Sequence, residues 1–151
     1  MKTKTMRDCV IYDMDGTLAD VTDIRHFVTG GNTDYHSFHM GSIDVPAHEH
    51  VVDMLRQDQA DGKAIVIVTA RNSAYMYVTI FWLFFAGIEY DEIYMRDSKD
   101  QRPDWEVKAD ILVQMRKDGF NPVRAVDDNP SVVELWEREG IPVTVIPGWV
   151  D

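Results

Sequence analysis

Five short apolar runs punctuate the chain: CVIYD (9–13), AIVIVTA (64–70), EIYM (92–95), RAVDD (124–128) and PVTVI (142–146). They are rich in Val and Ile and closed by turn signals, a pattern that predicts strands buried on both faces. Between them the spacing turns helical. The segment 46–61 opens on Pro46 and stops before Gly62, 103–118 lies between Pro103 and Gly119, and 130–139 runs from Pro130 to Gly140. Proline suits a helix start because the first turn leaves amides unbonded, and glycine suits the left-handed residue past its end. A fourth helix, 73–86 before Gly87, carries YMYVTIFWLFFA and is apolar almost all round. That composition predicts a largely buried helix, core or interface rather than a platform for stacking bases.

Strands alternating with helices imply parallel βαβ units, hence an α/β fold with a Rossmann-like open parallel sheet and helices on both faces. In such sheets the ligand crevice lies beyond the carboxyl ends of the strands. Asp13, Thr69, Asp127 and Asp128 all stand at predicted strand ends, so they should converge there. The region 21–45 fits neither pattern. It holds Gly30, Gly31, Gly41 and three of the five histidines, follows the first strand, and is expected to form a small cap or lid on the crevice side.

Length adds the expectation of one domain over 1–151, large enough to bury a core. No apolar run approaches the ~20 residues of a membrane span, and the basic start MKTKTMRD lacks the apolar region of a secretion signal. The single Cys9 sits in an apolar strand and reads as a buried thiol, which fits a cytoplasmic setting. A net charge of −11 argues against coating long nucleic acid through phosphate neutralisation. Local cations gripping one terminal phosphate remain compatible with it, as does an acidic pocket that attracts Mg²⁺.

The stretch DMDGT (13–17) followed by Thr69, Lys108 and the Asp127–Asp128 pair resembles the four ordered motifs of the haloacid dehalogenase superfamily. A closer resemblance is to 3′-phosphatase domains of the T-even phage polynucleotide kinase–phosphatase type. It is carried by Arg71 two residues after Thr69, by DWEVK with Asp104 one turn before Lys108, and by DDNPSVVELWEREGI. Arg25 matches a further arginine of that family only with a one-residue shift, and the likeness is weakest over 26–45. The implied activity is a Mg²⁺-dependent phosphoric monoester hydrolase acting on the 3′-phosphate of DNA or RNA ends. The implied partners are a nucleic acid end and a separate or fused 5′-kinase, with no membrane. Within these residues no G-x-x-x-x-G-K-[ST] stretch occurs, so no kinase site is expected in them.

These residue types suit the chemistry. A carboxylate can attack phosphorus and form an aspartyl-phosphate, dividing one hard step into two easier ones. Carboxylate and phosphate repel unless a cation lies between them, and Mg²⁺ takes oxygen ligands while keeping several waters. Asp13 suits nucleophile and ligand together, with Asp127, ahead of Asp128, as a second carboxylate. The turn at Gly16 can bring Asp15 over the site, where the resemblance makes it general acid and base and a metal ligand through its backbone carbonyl. Thr69 and Lys108 would bind the transferring phosphoryl group, Asp104 would hold the Lys108 ammonium at i,i+4, and Arg71 and Arg25 would fork onto the substrate phosphate.

Blander readings stand beside these. Asp13 and Asp15 suit an ordinary strand-end turn, and Asn129-Pro130 a helix cap. His36 with His39, and His48 with His50, have spacings that invite zinc, although no cysteine supports it. Arg96, Lys99 and Arg102 suit a solvated loop or a guide for a nucleic acid end. The alternative functions are a 5′(3′)-deoxyribonucleotidase and, in another class, an inactive nucleic-acid-binding scaffold.

Overall fold

The computed structural model describes residues 5–150; most of the basic start at 1–4, and Asp151, lie outside the described residues. Five strands, β1 (Arg7–Tyr12), β2 (Ala64–Asn72), β3 (Glu92–Arg96), β4 (Phe120–Asp127) and β5 (Val143–Val145), form one sheet in the order β3-β2-β1-β4-β5. Every pairing is parallel. The expected open α/β sheet is therefore the observed one. β1, the first strand among the described residues, lies at its centre.

Alternate residues of β1 face opposite layers. Val10 and Tyr12 join a core with Val51, Val52 and Leu55 of helix α2 (Glu49–Ala60) and Trp82 and Leu83 of helix α3 (Met76–Phe85). Cys9 and Ile11 face Val107, Ile111, Leu112 and Met115 of α4 (Asp104–Lys117) and Val132, Leu135 and Trp136 of α5 (Pro130–Arg138). With both sheet faces covered, the strands read as continuous apolar runs. Burial pushes the Cys9 thiol up to about 12, so it is an inert core residue.

Helix starts depart from the sequence expectation. Pro130 is the first residue of α5, but Pro103 only caps α4, and Pro46 lies before α2, whose cap is His48. The Pro46 carbonyl instead accepts the Asp20 amide (2.8 Å), which ties that connection to the loop after β1. Pro122 sits inside β4, where the pairing with β1 shifts register between Cys9 and Val10. Proline has no amide for the ladder, and a bulge accommodates that loss.

The expectation of a buried 73–86 helix is corrected. Residues Ser73–Tyr75 make a 3-10 turn, and only Val78, Thr79, Trp82 and Leu83 of α3 are buried. Tyr77 and Phe81 are half exposed, and Phe84 and Phe85 are each 75% exposed. One stripe packs on the sheet and the other lies open, because nothing in the described chain covers it.

Residues after β1 form a 3-10 turn (Arg25–Phe27), helix α1 (Tyr35–Gly41) and a second turn (Ser42–Asp44). Ile24, Phe38 and Val45 enter the same core as α3, and the Trp82 indole donates to the Val45 carbonyl (2.8 Å). No helix among the described residues is long and apolar enough to cross a membrane.

Candidate active site

The loop after β1 is built to fold Asp15 back over the strand end. Asp13 prolongs the ladder by donating its amide to the Val126 carbonyl (3.1 Å). Gly16 then takes φ +80° and donates to the Ala19 carbonyl (2.8 Å), while the Ala19 amide returns to the Met14 carbonyl (2.9 Å). Glycine is required on two counts. A side chain rarely adopts that φ, and a Cβ there would lie 2.0 Å from Asp128 Oδ2.

Three carboxylates meet behind this turn. Single ligand atoms of Asp13, Asp127 and Asp128 all lie within 4.8 Å of one another, and all three residues are buried. Lys108, 2% exposed, reaches in from α4 and donates to Asp13 Oδ1 and Asp127 Oδ2, each at 2.9 Å. Asp127 is otherwise fully occupied. Its Oδ1 accepts the Asn129 amide (3.1 Å), and its Oδ2 also faces the Trp136 indole nitrogen (3.5 Å). Asp128 differs. Its Oδ1 accepts weakly from Thr17 Oγ1 (3.4 Å), and its Oδ2 has no partner among the described residues. Thr17 also donates to Asp13 Oδ2 (3.1 Å), a role that the DMDGT pattern offered and the sequence reading left unassigned.

The other expected site residues divide. Thr69, 1% exposed, ends the straight part of β2 and accepts the Arg71 amide at its hydroxyl (3.1 Å). Arg71 is itself buried. Its Nε donates to both Asp15 oxygens at 3.0 Å and its Nη1 to the Thr79 hydroxyl (3.0 Å). The guanidinium thus clamps the Asp15 carboxylate. Arg25 donates from Nη1 to the Gly148 carbonyl (3.0 Å), with Nη2 close to Gly16.

Asp104 does not hold Lys108, which corrects the i,i+4 expectation. It accepts from Arg96 Nη2 (2.7 Å) and Asn129 Nδ2 (3.5 Å), while Lys108 points into the carboxylates of the neighbouring strand ends. Arg96 also donates to the carbonyls of Ala70, Asp100 and Arg102, so it braces the loop after β3. Arg102 pairs with Asp100 and Asp110. Among the described residues no group of three or more potential metal ligands includes a histidine: His36 and His39 both meet Tyr75, and His48 engages the Thr17 carbonyl.

The site has two compartments. A well of about 70 Å³ is lined by Asp13, Asp15, Thr69, Lys108 and Asp128 among others. It opens to a groove of about 940 Å³ between residues 21–39 and the loop after β3. The well suits a phosphoryl group, the groove something far larger.

The family model of the polynucleotide kinase PNKP phosphatase domain matches residues 7–147. The chain belongs to this family. It is a phosphatase of the haloacid dehalogenase fold. A chain of the Pnkp1/Rnl/Hen1 complex superposes with a TM-score of 0.80 at 24% identity, over 95% of this chain and 47% of that one. A chain of the Pnkp1/Rnl/Hen1 RNA repair complex gives 0.80 at 25% identity, over 93% and 42%. The present chain thus spans less than half the length of these chains. The class C acid phosphatase from Bacillus anthracis with tungstate bound gives 0.69 at 16% identity, over 94% and 67%, a likeness of fold.

In this PNKP-type domain the donor set fits a small divalent cation. All three candidate ligands are carboxylates, one buried oxygen lacks a partner, and three negative groups face one ammonium. The electrostatics record that imbalance. Burial and then the nearby Asp127 push Asp13 well above the usual carboxylate range, although Lys108 pulls it back. The same two causes raise Asp128 to about 6. For Lys108 burial disfavours the charge, but Asp127 and Asp13 outweigh it and hold the ammonium protonated.

A stability prediction follows from the sign of these shifts. A carboxyl raised from 3.8 to about 6 penalises the fold fully above about pH 6, and the penalty fades as pH falls toward 3.8. Asp128→Asn should therefore raise the Tm of metal-free protein at pH 7.5, with little gain at pH 4. Added Mg²⁺ should stabilise the wild type and leave the variant nearly unmoved. Thermal melts with chelator and with Mg²⁺ at both pH values check this.

Proposed function

We propose that this phosphatase domain removes the 3′-phosphate from nucleic acid ends through an aspartyl-phosphate on Asp13, with Mg²⁺ as cofactor. The observation that carries the reading is the well itself, where Asp13, Asp15, Thr69, Lys108 and Asp128 line one small space in a chain of the PNKP phosphatase family. An Asp13 oxygen attacks phosphorus. Asp15 protonates the leaving 3′-oxygen, giving a 3′-hydroxyl end. Asp15 then takes a proton from water as its oxygen attacks the acyl phosphate, which releases inorganic phosphate and restores the Asp13 carboxylate.

Arg71 serves in this scheme by aiming Asp15, through its contacts to both carboxylate oxygens. Thr69 and Lys108 stabilise charge on the phosphoryl oxygens. Asp13, Asp128 and the Asp15 carbonyl are the proposed Mg²⁺ ligands, and Asp127 is the anchor of Lys108. Mg²⁺, when bound, offsets the repulsion between carboxylate and phosphate. Residues 21–45 form the cap whose wall helps shape the groove.

Structural likeness to a chain of an RNA repair complex supports RNA ends among the substrates. A 5′-kinase, separate or fused, is the proposed partner, with end repair in the cytoplasm as the proposed setting. The test is phosphate release from a 3′-phosphorylated oligonucleotide, a 5′-phosphorylated one and free 3′-mononucleotides, each with Mg²⁺ and with chelator. Preference for the first, lost with chelator, is expected. Preference for mononucleotides would make the protein a nucleotidase instead.

A further inference from the structure

The well and the groove share Asp15, Ala70, Asp104 and Trp149 along their common rim. Trp149 is the one aromatic residue among those lining the well, and it also lines the groove. It stands beyond residue 147, where the family match ends. Two anchors hold the segment that carries it. The buried Ile146 donates its amide to the Asp127 carbonyl (3.0 Å), and Arg25 donates to the Gly148 carbonyl (3.0 Å). Gly148 itself turns the chain just before Trp149, at φ +113°. Trp149 is 39% exposed, so part of its side chain is open to a ligand at the rim.

A phosphate seated beside Asp13 and Lys108 would direct its ester oxygen, sugar and base outward past this rim, the side on which the well meets the groove. Asp15 and Asp104 offer the rim carboxylates and Ala70 a methyl group. Only Trp149 offers a broad apolar surface there. We infer that Trp149 is the stacking surface for the nucleobase bearing the 3′-phosphate, with Arg25 as the positioning residue that holds its segment. This rests on the 3′-phosphatase reading. Stacking tolerates any base because each presents a π-face, as an enzyme acting on ends of varied sequence requires.

The test compares the wild type with Trp149→Ala, Trp149→Phe and Arg25→Ala on three Mg²⁺-supported substrates. These are a 3′-phosphorylated oligonucleotide, the same strand with an abasic 3′-terminal residue, and glycerol phosphate. Trp149→Ala should raise KM for the first by roughly 10- to 100-fold with kcat changing far less, and should cost much less on the other two. Trp149→Phe should recover most of the loss. Arg25→Ala should shift KM in the same direction, and the double variant should be no worse than Trp149→Ala. An equal loss on all three substrates would show a merely structural tryptophan, and an unmoved oligonucleotide KM would also overturn the inference. Wild-type protein that fails to prefer the 3′-phosphorylated strand over glycerol phosphate would overturn the 3′-phosphatase reading first, and this inference with it.

Discussion

Asp13→Asn should reduce Mg²⁺-dependent phosphate release by on the order of 10⁴-fold or more, because it removes the atom proposed to bond phosphorus rather than a group that assists. The substitution is nearly isosteric: the amide oxygen can still accept from Lys108 where Oδ1 now stands, and the amide nitrogen can donate to the Thr17 hydroxyl where Oδ2 now stands. It also removes a buried charge that burial and Asp127 disfavour. The metal-free variant should therefore melt no lower than the wild type. That combination separates lost chemistry from lost fold. Rapid-quench experiments with labelled substrate should trap phosphate on wild-type protein and none on the variant. Retained Mg²⁺-dependent turnover in Asp13→Asn would sink the nucleophile assignment.

Lys108→Met should damage both activity and fold. Its ammonium is the single cation within hydrogen-bond reach of Asp13 and Asp127 among the described residues, and removing it leaves two buried carboxylates facing each other. Breaking a buried pair from one side costs about 3–5 kcal/mol, which for a chain of this size lowers Tm by roughly 6–20 °C. Activity should fall ~10²–10³-fold, the usual loss when one donor to a charged transition state is removed. Adding Asp127→Asn should return much of the Tm without returning turnover, since it relieves the repulsion and leaves the phosphoryl group without its lysine. Melts and steady-state rates on the single and double variants decide this. A Lys108→Met protein as stable as the wild type would mean that the carboxylates are not charged together in the folded state.

The strands and the convergence of their ends were legible in the sequence for a physical reason. Parallel strands covered on both faces must be apolar throughout, so the acids that close them stand out, as Asp13 after CVIY and Asp127 after RAV do. What spacing alone could not rank was competition between partners. Asp104 and Lys108 are neighbours on one helix, yet Lys108 meets two carboxylates from β1 and β4 that no helical periodicity reveals. Arg71 likewise finds Asp15 and Thr79 across 56 and 8 residues. The two acids of the Asp127–Asp128 pair differ little in sequence, where Asp127 is the favoured metal ligand, yet the open oxygen belongs to Asp128. They are told apart only once Lys108, Trp136 and Asn129 saturate one and leave the other open. For α3, composition reported the absence of charge but not the absence of a neighbour, and one stripe of it faces solvent.

The central place of β1 has a consequence for how the molecule comes into being. Tyr12 pairs with Ile67 on one side and with Val126 on the other. A ribosome therefore delivers the apolar strand that precedes Asp13 long before its second neighbour exists, and until then one edge of CVIY lacks its β4 partner and Asp13 lacks Asp127 and Asp128 beside it. Such long-range parallel pairing is slow to form and leaves sticky edges exposed meanwhile. The carboxylate cluster is therefore complete only once β4 has paired with β1 and brought Asp127 and Asp128 to Asp13.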